Sequence, residues 1–180
     1  IVERIANLSI PFGFLLQKND LLLEFNIFES EKKQAEEKLK IEKNKKYLGI
    51  NLSGSTEAKY WGTENYIGLI KKINIENPEI EIIIFATEKF ENELNIIVSD
   101  TKSKATPRTN SFLEFAANIS LCDFLISVDT SVVHLAAAFQ IPIISLHIWT
   151  GTIDTGLPWY SFNNQNKYLV TKNNLSDIKV

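Results

Sequence analysis

Short apolar segments alternate with segments of helical periodicity from Tyr47 onwards, and this alternation limits the folds open to the chain. The run Glu81–Ala86 is largely apolar and β-branched, which is typical of a strand buried on both faces. Apolar residues between Tyr66 and Ile73 recur instead at helical spacing. Strands that alternate with helices predict an α/β fold, with a Rossmann-like parallel sheet flanked by helices.

The same pattern predicts where such a sheet would bind a ligand. Ligands of parallel sheets bind at the carboxyl ends of the strands, so we expect the loops that follow the strands to share one rim. The strands predicted are Tyr47–Asn51, Glu81–Ala86, Asp123–Val128, Pro142–Leu146 and Tyr168–Val170. Besides the helix near Tyr66, the chain is expected to form helices at Glu88–Val98, after Ser111 and at Ser131–Phe139, with a polar loop at Asp100–Asn110.

The first 46 residues have a different character from the rest. Glu29–Lys46 is highly charged and has Glu–Lys pairs at i,i+4 spacing, such as Glu36 with Lys40, which favours a solvated helix or linker. The chain opens with Ile1 and contains no methionine, and we expect it to be a piece of a longer product.

Composition excludes several classes of function. The net charge of −3 argues against general nucleic-acid binding, which needs a basic face. No apolar run reaches the roughly 18 residues of a transmembrane helix. The single cysteine, Cys122, stands among apolar residues and is predicted to be a buried thiol. No pair of histidines or cysteines has metal-ligand spacing, so no metal site is expected.

The segment Asp129–His134 carries the strongest local signal for a binding site. A buried strand ends in Asp-Thr-Ser and a helix begins, so free backbone N–H groups and the positive end of the helix dipole would face an anion such as a diphosphate. Asp129 could accept hydrogen bonds from sugar hydroxyls. The alternative is that Thr130 or Ser131 only caps the helix. For His134, the alternative is a core position on an apolar helix.

A second signal follows the first strand, in the loop that contains Gly54, Ser55 and Lys59. Small residues allow backbone N–H groups to approach a phosphate, and Lys59 supplies a positive charge. The spacing is not that of a P-loop, and an ordinary surface turn is the alternative. Glu88 or Glu91 could hold a ribose diol, although acidic residues also favour helix N-termini without any ligand.

Together these segments resemble glycosyltransferase family 9, the ADP-heptose:lipopolysaccharide heptosyltransferases. The family carries Lys-x-Trp after a small polar loop, matched here by Lys59-Tyr60-Trp61. Far downstream it carries Asp-[Ser/Thr]-Gly-x-x-His before small apolar residues, matched by Asp129–His134 and Leu135–Ala138. Ser111–Phe115 also resembles a family segment, and the similarity covers roughly Tyr47–Pro158.

The resemblance implies the C-terminal domain of a GT-B glycosyltransferase. Residues 47–180 would be the nucleotide-sugar-binding Rossmann-like domain, and residues 1–46 a remnant of the N-terminal half with a charged linker helix. The missing half would bring the acceptor and an Asp general base, so this fragment alone is expected to lack turnover. The donor would be ADP-heptose, no cofactor or metal would be needed, and the acceptor would be the lipopolysaccharide core or another glycan.

The resemblance also assigns roles to individual residues at the donor diphosphate. Lys59 would neutralise the phosphates as a catalytic residue, with Gly54 and Ser55 alongside. Thr130 and Ser131 would offer backbone N–H groups to the same diphosphate.

Other residues would contact the rest of the donor. Asp129 would hold the sugar as a second catalytic residue, and His134 would lie near the phosphates. Asn110 would approach the nucleoside and Glu88 the ribose. A cytoplasmic location, with peripheral attachment to the inner face of the inner membrane, would suit a lipid-linked acceptor.

Two departures from the family pattern keep alternatives open. Ser131 stands where the family usually has glycine, and Ile148-Trp149-Thr150 replaces a Gly-Pro-Thr-like turn. They motivate the alternative of a GT-B transferase that uses a UDP- or GDP-hexose. The missing base motivates another, a non-catalytic nucleotide-sugar-binding or scaffold domain.

Overall fold

The computed structural model describes residues 6–16, 18–149 and 165–180. Within these ranges the chain forms a parallel sheet flanked by helices, as the sequence predicts. The strands are β1 Lys46–Asn51, β2 Ile80–Phe85, β3 Lys104–Ala105, β4 Phe124–Val128, β5 Ile143–Ile148 and β6 Asn166–Thr171. The α-helices are α1 Glu29–Leu39, α2 Thr63–Glu76, α3 Glu91–Asp100, α4 Phe112–Ile119 and α5 Ser131–Ala138. Short 3-10 helices lie at Asn7–Phe12, Lys18–Leu21, Glu57–Lys59, Glu88–Phe90 and Leu175–Asp177.

The strand order is β3-β2-β1-β4-β5-β6, and neighbouring strands pair in parallel. The order reverses direction at β1, so the crevice above β1 and β4 is the point where ligands bind in open α/β sheets. The register places Asn51 opposite Ser127, and Ser127 opposite Ser145. Three polar residues therefore form one row across the centre of the sheet, near its carboxyl edge.

Each face of the sheet has its own apolar core, because successive side chains of a strand point to opposite faces. One core joins the sheet to α4 and α5 through residues such as Phe85, Leu125 and Val133. The other packs residues such as Ile50 and Ile84 against α2 and α3. The polar row of Asn51, Ser127 and Ser145 alternates along its strands with residues of this second core, so it lies on the α4 and α5 face.

Helix α1 is not solvated on all sides. Ala35 and Leu39, four residues apart and therefore on one face of the helix, are buried, and Leu39 belongs to the core on the α4 side. Lys38 also forms an ion pair with Glu114 of α4. Within the charged segment 29–46, the helix ends at Leu39. Its apolar face packs against the sheet domain.

Two local predictions need correction. The segment Asp100–Asn110 is not purely a loop, because Lys104–Ala105 adds a parallel edge strand beside β2. The helix predicted at Glu88–Val98 is a 3-10 turn followed by α3. The prediction for Cys122 is confirmed: the thiol is buried, and burial raises its pKa to about 12.

Candidate functional site

A cavity of about 660 Å³ lies at the carboxyl ends of the central strands. The loops after β1, β2 and β4 share this rim, as expected, and they are joined there by the loop after β3. The loop after β5 is expected at the same rim, but from residue 150 to 164 it lies outside the described residues. Ligand pockets are typically about 300–1,000 Å³ and occur at this position in open α/β sheets. The cavity is lined by Asn51, Ser53, Gly54, Ala86, Thr87, Glu88, Arg108, Thr109, Asn110, Ser111, Phe112, Phe115, Thr130, Ser131 and Val132.

The buried side chain of Asn51 connects the loops that form the walls of the cavity. Its buried amide group donates to the carbonyl oxygen of Ser53 at 3.1 Å, to Ser127 Oγ at 3.0 Å and to Thr130 Oγ1 at 3.2 Å. Ser53 in turn accepts a hydrogen bond from the Thr87 amide at 2.7 Å. The loops after β1, β2 and β4 are therefore connected by hydrogen bonds, and the cavity has a fixed polar floor.

The N-terminus of α5 opens into this cavity. Thr130 caps the helix, since its Oγ1 accepts from the Val132 amide at 3.3 Å, and the predicted cap is confirmed. Ser131 is exposed and lines the cavity, and its amide is the first of the helix. The first amides of a helix and its positive dipole end favour an anion at this place.

Lys59 and Asp129 form an ion pair next to the cavity. Lys59 Nζ lies 2.6 Å from Asp129 Oδ2 and also donates to the Asp129 carbonyl oxygen at 3.3 Å. Both side chains are more than two-thirds buried, with 28% and 22% of their surface exposed. The structure thus brings the two residues predicted to be catalytic together, with each neutralising the other.

Gly54 allows the loop after β1 to lie against Lys59. A Cβ at Gly54 would be 2.6 Å from Lys59 Cβ and 3.1 Å from the Lys59 carbonyl oxygen. Any other residue would push Lys59 away, so the glycine sets the position of the lysine relative to the cavity. Ser55, the next residue, is exposed and does not line the cavity.

His147 is the residue that the sequence interpretation missed. It is 3% exposed, its Nε2 lies 2.8 Å from Ser145 Oγ, and its Nδ1 lies 3.8 Å from Asp129 Oδ1. Burial lowers the pKa of His147; the charge of Asp129 raises it, and that of Lys59 lowers it. The net direction is down, so the imidazole is neutral at neutral pH.

The far end of the cavity carries its own charges. Arg108, on the loop after β3, lies 2.6 Å from Glu91 and 3.5 Å from Glu88 through its guanidinium nitrogens. Glu88 lines the cavity but is largely exposed, and Asn110 lies beside it on the wall. The part of the wall formed by described residues contains one cationic side chain, Arg108, which sequence reasoning did not single out.

The start of α4 forms a modified capping box. Ser111 Oγ accepts from the Glu114 amide at 3.1 Å, as in the usual motif. The Glu114 carboxylate, however, accepts from the amide of Asn110 at 2.7 Å rather than from that of Ser111. Lys38 and this amide hold the pKa of Glu114 below its usual range. The contact fixes the backbone of Asn110 at the cavity wall.

His134 lies apart from the main cavity. It lines a second depression of about 240 Å³, which is shaped by Phe25, Leu135 and other mostly apolar side chains. Ser131 and Phe112 line both depressions, so the two are neighbours. Of the predicted site residues, Gly54, Glu88, Asn110, Thr130 and Ser131 line the main cavity, Lys59 and Asp129 adjoin it, and Ser55 and His134 lie outside its lining. Thr150, from the departing turn, lies outside the described residues.

Among residues 6–16, 18–149 and 165–180, no three His, Cys, Asp or Glu side chains cluster so as to hold a metal ion. No helix within the same ranges combines the length and apolarity that crossing a bilayer requires.

The geometry can be compared with known proteins. The sequence model of glycosyltransferase family 9 (heptosyltransferase) matches residues 1–178. The chain belongs to this family. No curated protein matches the chain.

Solved structures of family members share the fold. The glycosyltransferase family 9 protein of Veillonella parvula superimposes with a TM-score of 0.74 at 17% identity, over 96% of this chain and 54% of that protein. ADP-heptose lps heptosyltransferase II of E. coli gives 0.68 at 16% identity, over 87% and 49%. E. coli heptosyltransferase WaaC with ADP gives 0.63 at 21% identity, over 81% and 45%.

The similarity to these solved structures establishes the fold of the chain. The chain spans about half the length of the solved relatives. Its parallel sheet is the Rossmann-like fold of a GT-B glycosyltransferase, and its cavity lies where that fold binds ligands. The chain is thus a domain of glycosyltransferase family 9 with a heptosyltransferase-like fold.

Proposed function

We propose that this chain is the donor-binding half of a glycosyltransferase that transfers heptose from ADP-heptose to the lipopolysaccharide core. The observation that carries the proposal is the cavity at the sheet's carboxyl edge. There the N-terminus of α5 and the loop of Gly54 line the cavity, and the Lys59–Asp129 ion pair adjoins it. A diphosphate requires such a place, with backbone N–H donors and a nearby cation.

The diphosphate of the donor would lie at the α5 end of the cavity. The Ser131 amide would donate to it, and Lys59 would turn from Asp129 towards its oxygens. Asp129 would then be free to accept hydrogen bonds from sugar hydroxyls. The Lys59–Asp129 ion pair holds both side chains beside the cavity.

The nucleoside would lie at the opposite end of the cavity. Glu88 would accept from the ribose hydroxyls, and the Asn110 segment would contact the base. Arg108 holds Glu88 and Glu91 by ion pairs, so it would orient the ribose ligand. Residues of the loops after β3 and β4 both line the cavity, so one extended donor would contact both ends.

The reaction would be a direct displacement at the anomeric carbon. The acceptor oxygen forms a bond to this carbon while the bond to the diphosphate oxygen breaks. The acceptor proton passes to a carboxylate base supplied by the N-terminal half. The departing diphosphate keeps the bonding electron pair, and Lys59 and the helix N-terminus stabilise its negative charge. We expect no cofactor or metal in this scheme.

A panel of nucleotides tests the proposal. Calorimetric titration of the chain with ADP, UDP and GDP should give tightest binding for ADP. Preference for UDP or GDP would retain a GT-B transferase but replace the donor by a UDP- or GDP-hexose. Failure to bind any of the three would overturn the proposal in favour of a non-catalytic scaffold domain.

One observation favours the alternative of a UDP- or GDP-hexose donor, and UDP and GDP are therefore among the nucleotides titrated. The exposed side chain of Ser131 lies in the cavity wall where the family usually has glycine, and a hydroxyl there can alter the donor that fits. For the acceptor we propose lipopolysaccharide or another glycan, bound through the other half. That reaction would take place in the cytoplasm, at the inner face of the inner membrane.

The residue assignments have their own test in the full-length enzyme. Lys59→Ala and Asp129→Ala should each abolish transfer of the sugar. Full transfer activity in both variants would overturn the site assignment while leaving the donor identity open to the panel above.

A further inference from the structure

His147 is a buried titratable group that the displacement mechanism does not use. Its imidazole is held between two partners, with Nε2 at 2.8 Å from Ser145 Oγ and Nδ1 at 3.8 Å from Asp129 Oδ1. The Tyr168 ring packs edge-on against it at a centroid distance of 5.5 Å. Ser145 is fully buried, so its hydroxyl holds the imidazole in one orientation.

Asp129 therefore faces two potential cations, one at each carboxylate oxygen. Lys59 holds Oδ2 at 2.6 Å, and His147 stands at the Oδ1 side. Burial of the imidazole lowers the pKa of His147; the charge of Asp129 raises it, and the positive charge of Lys59 lowers it further. While Lys59 is paired with Asp129, the imidazole is neutral at neutral pH.

Donor binding changes this balance. On the proposed function, Lys59 moves to the diphosphate, which removes a positive charge from Asp129 and adds negative charge nearby. Asp129 is only 22% exposed, so water cannot fully replace the lost ion pair. Every one of these changes favours the charged form of the neighbouring imidazole.

We propose that His147 takes up a proton from solvent when the donor diphosphate draws Lys59 away, so that Asp129 keeps a cationic partner and its orientation towards the sugar. The inference rests on the proposed function. The described groups that face the imidazole are Ser145 on its own strand, Tyr168 on β6, Asp129 before α5 and Lys59 on the 3-10 turn after β1. His147 is accordingly a positioning residue that acts through Asp129.

Proton uptake can be measured by calorimetry. An ADP-sugar is the probe, because its diphosphate is a diester and does not titrate near neutral pH. Titrations in buffers of different ionisation enthalpy should show uptake of up to about one proton per ADP-sugar bound. Its affinity should rise by up to about tenfold for each unit of decrease in pH across the window where uptake occurs.

Two histidine variants separate the proposed role from a general effect. His147→Gln should abolish the proton uptake and make the affinity insensitive to pH. His134→Gln is the matched control, since the chain has two histidines, and it should retain the uptake even if its affinity changes. Uptake that persists in His147→Gln would overturn the inference.

A measurement without ligand keeps the native imidazole in place. Nuclear magnetic resonance titration should show that Lys59→Ala raises the titration midpoint of His147. An unchanged His147 midpoint would overturn the inference, as would ADP-sugar binding without proton uptake. Binding without uptake leaves the proposed function standing, whereas the absence of any nucleotide binding overturns both.

Discussion

Asn51 allows the construction of the cavity to be tested, because one buried side chain connects three loops. Its two amide hydrogens are shared among the Ser53 carbonyl oxygen, Ser127 Oγ and Thr130 Oγ1, and its carbonyl oxygen accepts from the Ser53 amide at 3.3 Å. A hydrogen bond contributes about 0.5–1.5 kcal/mol net. Since these bonds are shared or long, we expect Asn51→Ala to lose about 2–3 kcal/mol of unfolding free energy from hydrogen bonding.

Asn118→Ala is the matched control for this substitution. Both asparagines are 2% exposed, so both substitutions leave a similar void. The side-chain oxygen Oδ1 of Asn118 accepts no hydrogen bond from the described residues, and its removal should cost less. Chemical denaturation of both variants should place Asn51→Ala about 2–3 kcal/mol below the control, a difference of roughly 4–12 °C in Tm. Equal destabilisation would refute the view that Asn51 holds the loops together.

Three further predictions follow from single sites. Gly54→Ala should displace Lys59 and weaken ADP binding at least about tenfold, since charged hydrogen bonds contribute about 1.5–3 kcal/mol. Gly68→Ala is the control in the same titration. Gly68 lies on an exposed part of a helix with open space around it, so this substitution should leave ADP binding unchanged. The pKa of His147 is lower in the folded chain than in the unfolded chain, so the unfolded chain binds the extra proton first, and the unfolding free energy should fall as pH decreases through about 6.5. His147→Gln should flatten that part of a series of denaturation measurements against pH. An identical slope in the variant would contradict the assignment. The Cys122 thiol should resist a thiol-specific alkylating reagent at mildly alkaline pH until denaturant is added, and rapid labelling of the folded chain would show that its burial is wrong.

The strands and their shared rim could be predicted because buried parallel strands are apolar at successive positions. The polar exceptions to this pattern, Asn51 and Ser127, mark the carboxyl edge of the sheet. The cap at Thr130 followed from local chemistry alone. These features depend on residues that are close together in the sequence.

The remaining features depend on register and on packing between distant segments. His147 looks isolated in the sequence, and only the pairing of Ser127 with Ser145 brings it beside Asp129. Arg108 reaches the cavity because a two-residue edge strand, too short to give a pattern, directs the loop that carries it.

The packing of the helices also could not be predicted from the sequence, as α1 and His134 show. The abundance of charge in α1 concealed a narrow stripe of Ala35 and Leu39, whose burial depends on the presence of α4 beside it. His134 faces the smaller depression rather than the main cavity because of the rotation of α5 about its axis. Helical periodicity fixes neither the neighbour of a helix nor this rotation.

The affinity of the chain for ADP, compared between the native chain and Lys59→Ala, tests the central claim most directly. Lys71→Ala is the control, because it also removes a lysine that is ion-paired at 2.6 Å, here with Asp100 and outside the cavity wall. Loss of a charged hydrogen bond to phosphate should weaken ADP binding by about 10–100-fold in Lys59→Ala and leave Lys71→Ala unchanged. Equal affinity in the native chain and Lys59→Ala would contradict a diphosphate site at the carboxyl edge of this sheet.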